Sequence, residues 1–143
     1  MRQNNVKTLW DKGETALCGW IATESVVLAE TLGVSGFDAV VIDLQHGASD
    51  VHNLMHLMQA VSATPATPMV RLPGNVPEII MKSLDYGAYG LICPLVNTAE
   101  DAKAFVCMPR STHLMAAGLL QARAWSIMQA VIMPQMPIAK LPN

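Results

Sequence analysis

The sequence has no run of Lys or Arg, no apolar stretch near 18 residues and no Gly-x-Gly-x-x-Gly after its first apolar segment. Without a basic stripe on a chain of net charge -2, nucleic acid and anionic membrane surfaces are not expected partners. A membrane span needs about 20 apolar residues, and Met-Arg-Gln-Asn-Asn leads into a polar helix, not a signal segment, so the expected address is the cytoplasm. Cysteine is scarce as well. Cys18, Cys93 and Cys107 are odd in number and widely spaced in apolar contexts, which predicts reduced, buried thiols. Charged residues make up only 14% against 52% hydrophobic, so some apolar surface is expected to meet a partner.

What is present reads as alternating strands and helices. Val6 to Lys12 predicts a short amphipathic helix, and Ala16 to Ala22 a strand. Thr23 is the expected cap of a helix from about Glu24, with Val26, Val27, Ala29 and Leu32 on its apolar side and a stop near Gly33 to Gly36. Asp38 to Leu44 is a continuous β-branched run, as in a parallel strand buried on both faces. Asp50 caps a helix whose expected apolar side is Val51, Leu54, Met55, Met58 and Val61. A connector from Thr64 to Pro68 leads to a strand over Met69–Leu72, and Pro77 opens a helix ending at Tyr86-Gly87. Tyr89–Cys93 is a fourth strand, and Thr98-Ala-Glu-Asp caps a helix to about Val106. Four short-linked repeats of this kind predict an α/β fold of right-handed parallel units. The missing glycine fingerprint favours a barrel over a dinucleotide-binding sheet, and four units make half a barrel.

Acidic residues are absent from the end of the chain. All eleven Asp and Glu lie at or before Asp101, while residues 108–143 hold five of the ten Met and three Met-Pro dipeptides. This divides the chain into residues 1–106 and a compositionally foreign tail, 107–143, in which Ser111–Val131 has weak helical character. A frameshift near Cys107 accounts for the change. Met has one codon, so moving the register by one base turns Met-Pro into Tyr, His, Asn or Asp followed by Ala. With permitted codons, Ser111 to Gly118 re-reads as Tyr-Pro-Pro-His-Gly-Arg-Arg followed by Ser. Sequencing the coding DNA tests this: the expected result is such an alternative frame beyond Cys107, and a gene without one contradicts it.

Catalytic groups of parallel barrels sit where strands end. Asp43, Gln45 and His46 follow the second strand, Arg71 ends the third, and Asn97 lies beyond the fourth. His46 reads as a general base near neutral pH, or as a loop His bonded to the backbone. Arg71 is suited to grip a carboxylate through two donors, or to an ion pair with Asp43 or Asp85. Asp43 is either a site carboxylate or the group that holds Arg71 or His46. His52 and His56 have the i, i+4 spacing of a zinc pair, but fall opposite the apolar face with no third ligand near and read as solvated surface. Met55 and Met58 read as core.

Taken together, Gly36-Phe37-Asp38 with Val-Val-Ile-Asp-Leu-Gln-His-Gly, Val70-Arg71-Leu72-Pro73, Leu84-Asp85-Tyr86-Gly87-Ala88 and Pro94-Leu95-Val96-Asn97-Thr98-Ala99-Glu100 resemble the HpcH/HpaI aldolase and citrate lyase family. The resemblance covers about Val6 to Val106 and implies the first half of a (β/α)8 barrel. It implies a carbon–carbon lyase that cleaves or forms 4-hydroxy-2-oxo acids to give pyruvate and an aldehyde, with a divalent cation, Mg, Mn or Co, and homo-oligomeric assembly. Carried over by motif, His46 is the general base, Arg71 binds the pyruvate oxygens and stabilises the enolate, and Asp85 supports His46. Gln45 stands where many members have Glu, and an amide can orient water but cannot be an acid or base. The family's metal-binding Glu and Asp come from later strands, so no complete metal site is expected here. The re-read tail also resembles the family's Tyr-Pro-Pro-x-Gly-x-Arg segment. Two expectations follow: an aldolase by family, or a truncated, catalytically incompetent fragment whose open edges lead it to self-associate.

Overall fold

A computed structural model describes residues 3–115 and 129–132. Its elements are α1 (Asn5–Asp11), β1 (Cys18–Ile21), α2 (Val26–Val34), β2 (Ala39–Asp43), α3 (Val51–Ser62), β3 (Thr67–Arg71), α4 (Pro77–Asp85), β4 (Gly90–Cys93), α5 (Ala99–Met115) and β5 (Gln129–Ile132). The sheet is parallel throughout, in the order β1-β2-β3-β4-β5. A doubly wound sheet would reverse its order at a switch point. Strictly sequential order is the winding of a barrel wall.

Alternation along the strands separates two layers. Ile21, Val40, Ile42, Val70, Leu91 and Cys93 face the main core with Ala29 of α2, Leu54 and Val61 of α3, Ile80 of α4 and Phe105 of α5. The opposite face carries Ala39, Val41, Met69 and Ile92, and α1 covers part of it through Val6 and Trp10. Asn4 caps α1 by accepting from the Lys7 N–H, and its side-chain amide donates to the Tyr89 carbonyl at 3.1 Å, which pins α1 where β4 begins. The other end of this inner face is left to the residues at the strand ends.

Local chemistry sets the boundaries. Asp50 and Asn53 form a reciprocal capping box on α3. Thr98 and Asp101 do the same at α5: the Asp101 carboxylate accepts from the Thr98 N–H at 3.0 Å and the Thr98 hydroxyl from the Asp101 N–H at 3.0 Å. Pro77 opens α4, and Gly87, at φ 97°, turns the chain out of it.

Several expectations are corrected. The cap of α2 is Ser25, not Thr23, whose hydroxyl accepts instead from the Ser25 N–H. Val26 and Val27 point to solvent, Val27 with 74% exposure, because α2 packs through Ala29, Leu32 and Gly33. A Cβ on Gly33 would lie 2.3 Å from the Thr64 hydroxyl, so that close approach of α2 fixes which face turns inward. Met55 is exposed and Leu57 takes its place in the core; His52 and His56 are exposed, as expected of that face. β3 begins at Thr67 and includes Pro68, whose carbonyl accepts from the Tyr89 N–H at 2.9 Å. α5 continues past Val106 to Met115, so the helical reading of 111–131 holds over 111–115; it fails at Gln129–Ile132, a strand paired with β4, and 116–128 lie outside the described residues. Cys93 is buried, but Cys18 and Cys107 are exposed. Among the described residues no helix is long and apolar enough to cross a membrane.

Candidate functional site

Asp43 is the last residue of β2 and lies in register with Arg71, the last residue of β3. Counting by twos from Val41 and Met69 puts both on the inner face. One residue before the end of β1, Trp20 shares that face, in register with Val41. Three adjacent strands therefore deliver an indole, a carboxylate and a guanidinium to one rim of the sheet.

The carboxylate holds the group together. Arg71 Nε donates to Asp43 Oδ1 at 2.9 Å and Arg71 Nη2 donates to Asp43 Oδ2, a two-point ion pair. Trp20 Nε1 donates to the same Oδ2 at 3.2 Å, and the Arg71 guanidinium lies over the indole, 5.0 Å from its centroid. The backbone N–H groups of Gln45 and His46 donate to Oδ1 at 2.9 and 3.2 Å, which winds the segment after β2 into a tight turn. Burial pushes the Asp43 carboxyl upward, but the bonds from Arg71, Gln45, Trp20 and His46 outweigh it and hold it well below the usual carboxylate range. Asp43 is thus a structural anion at 2% exposure.

Of the alternatives open for Arg71, the ion pair is made, and with Asp43. It does not exhaust the side chain. A guanidinium has five N–H donors, and the pair uses two, leaving one edge without a partner among the described residues. His46 is exposed, its backbone N–H fixed on Asp43 and its imidazole without a partner among the described residues. Gly47 completes the turn, where a Cβ would lie 2.4 Å from the Asp43 carbonyl oxygen and 3.1 Å from Ala22 Cα. The Ala48 N–H donates to the Ala22 carbonyl at 2.9 Å and ties the turn to the end of β1.

Asn97 follows β4 at the same rim; its amide donates to the carbonyl of Leu95, a half-exposed residue held at φ 61°. Asp85 falls elsewhere. It ends α4, before β4 begins, and so lies at the opposite rim from His46 within one chain. The structure gathers Asp43, Gln45, His46 and Arg71 and does not bring Asp85 to them. The residue missed in the sequence is Trp20, whose signal was its parity with Cys18 on a strand exposed along one face.

The pattern of the HpcH/HpaI aldolase/citrate lyase family matches residues 17–128. The chain belongs to this family. The hydroxypyruvate/pyruvate aldolase of Rhizorhabdus wittichii is 43% identical over 100 residues, 70% of this chain and 40% of that protein. The hydroxypyruvate/pyruvate aldolase of Agrobacterium fabrum is 33% identical over 128 residues, 87% of this chain and 48% of that protein. Among solved structures, citrate synthase SbnG superposes with TM-score 0.79 at 27% identity, over 91% of this chain and 55% of its own. A family member from Burkholderia cenocepacia shows the same fold, with TM-score 0.78 at 24% identity, over 91% of this chain and 59% of its own. The chain spans less than half the length of these two curated relatives. The family match runs past residue 106 and includes α5.

A cation of the kind the family resemblance implies needs several oxygen ligands. Among the described residues no group of three or more His, Cys, Asp or Glu is placed to hold one. Asp43, the carboxylate held between Arg71 and the turn after β2, already accepts from Arg71, Trp20, Gln45 and His46. The described residues do not fit a complete site for that cation.

Proposed function

We propose that the rim formed by β1 to β3 is the oxo-acid side of an aldol reaction centre, acting on 4-hydroxy-2-oxo acids to give pyruvate and an aldehyde. The observation that carries this reading is the open edge of the Arg71 guanidinium, fixed by Asp43, the same carboxylate that holds the backbone N–H of the exposed His46. In cleavage His46 takes the proton of the 4-hydroxyl, the bond between C3 and C4 breaks, and its electron pair moves onto the C2 oxygen. The products are the aldehyde and the pyruvate enolate, which regains a proton at C3. Arg71 offsets the charge that develops on the C2 oxygen, where preorganised donors act most strongly. Support by Asp85 forms no part of this scheme within one chain. Gln45, whose backbone N–H is bound to Asp43, orients water through its amide in this scheme.

A second reading, a non-catalytic fragment, is favoured by the mismatch between these residues and a divalent-cation site. The division at residues 106 and 107 belongs to that reading and rests on composition, no acidic residue following Asp101. The measurement that separates the two is pyruvate release from a 4-hydroxy-2-oxo acid by the full chain. The first reading expects slow release, lost in His46→Ala and unresponsive to added Mg or Mn. No release leaves the second. Strong stimulation by either metal would show that donors outside the described residues complete a cation site.

A further inference from the structure

We propose that Trp20 is a positioning residue: its indole holds the Arg71 guanidinium in the plane in which the open edge meets the oxo-acid oxygen. Two independent contacts support it. The indole face lies against the guanidinium at 5.0 Å, and the indole N–H donates to the Asp43 oxygen that also accepts from Arg71 Nη2. Asp43 alone constrains the guanidinium along one edge and leaves rotation of the pair about that edge. A ring laid on one face removes that freedom.

Burial does not explain the contact. Trp20 is 41% exposed, and its neighbours in sequence on the inner-face parity, Cys18 and Ala22, are exposed as well. The large side chain is therefore held at an open rim by polar and cation–π contacts, not by a surrounding core. Because Asp43 compensates the charge of Arg71, the guanidinium attracts an anion mainly through directed N–H bonds. Orientation then matters more for the oxygen charge of the transition state than for ground-state binding. This inference rests on the reading of the rim as the oxo-acid site, but the fixing of Arg71 by Trp20 can be observed without turnover.

The test uses the full chain with Trp20→Leu, which removes both contacts, and Trp20→Phe, which keeps the ring and loses the indole N–H. The Arg71 Nε–H signal in nitrogen-edited NMR, assigned by its loss in Arg71→Lys, reports the guanidinium directly. It is expected to be ring-shifted and slow to exchange in the unaltered chain. In Trp20→Leu it should move to the position of an exposed arginine and exchange at least about tenfold faster, while Trp20→Phe should keep most of the ring shift. In pyruvate release, Trp20→Leu should lower kcat about tenfold with KM changed less than about twofold, and Trp20→Phe should restore most of the loss. An Arg71 signal unmoved in Trp20→Leu overturns the proposal, as does a moved signal with unchanged kcat. Should the unaltered chain release no pyruvate, the reading of the rim fails and the NMR comparison still decides whether Trp20 fixes Arg71. If Trp20→Leu does not fold, Trp20→Phe decides: a retained ring shift supports the stack, and an unshifted signal overturns it.

Discussion

Asp43→Ala should lower the unfolding free energy by about 3 kcal/mol, the low end of the cost of breaking a buried ion pair from one side. The low end applies because Arg71 keeps 18% side-chain exposure and can draw on water, while Asp43 is almost fully enclosed. Asp43→Asn should not rescue it. An amide presents one oxygen and one NH2, and both Asp43 oxygens accept bonds, from Arg71 Nε, Gln45 and His46 on one side and Arg71 Nη2 and Trp20 on the other. Either orientation sets donor against donor. The pH dependence has a defined sign. The folded-state carboxyl titrates below its unfolded value, so its contribution is full above the ordinary carboxylate range and is lost as pH falls through that range toward the folded value. Urea unfolding at pH 7 and at pH 3 measures both effects: the gap between Asp43→Ala and the unaltered chain should shrink at pH 3. A gap that is equal at the two pH values contradicts the assignment of Asp43 as the anion of the rim.

Arg71→Ala should reduce kcat/KM for pyruvate release about 100-fold or to background, the cost of removing a preorganised donor from a developing oxyanion. The same substitution leaves Asp43 with three N–H donors but no cation, so stability should fall too. Arg71→Lys separates the two effects. An ammonium can neutralise Asp43 and recover most of the stability, but it lacks the planar fork that pairs with Asp43 on one edge while presenting another to substrate. Turnover should stay within about tenfold of Arg71→Ala even as the urea midpoint recovers. Recovery of both together would mean that Arg71 serves the fold alone.

Much of the architecture was legible because the signals were redundant. The β-branched run before Asp43 matches β2, buried at every position, and Asp50, Pro77, Gly87 and Thr98 act at element ends as their chemistry requires. The errors share one cause, packing that a local pattern does not contain. Val26 and Val27 look like a helix face until the close approach of Gly33 to Thr64 turns them outward. Pro68 looks like a breaker, yet β3 carries it between β2 and β4, where its carbonyl still serves Tyr89. At the rim, the sequence offered two partners for Arg71; only the topology places Asp43 in register with it and Asp85 at the far end. The parity of Trp20 with Cys18 did not show its role, which depends on strands that lie about 20 and 50 residues further along the chain.

Charge at the rim also bears on the proposed reaction. Asp43 is engaged by Arg71 and the turn, so the proposal assigns enolate stabilisation to the open guanidinium edge and proton transfer to His46. The most direct test is pyruvate release from a 4-hydroxy-2-oxo acid by the full chain and by His46→Ala, each with and without Mg or Mn. The account predicts slow release by the unaltered chain, insensitive to metal and lost in His46→Ala. Equal release by the two proteins, or none by either, would contradict it.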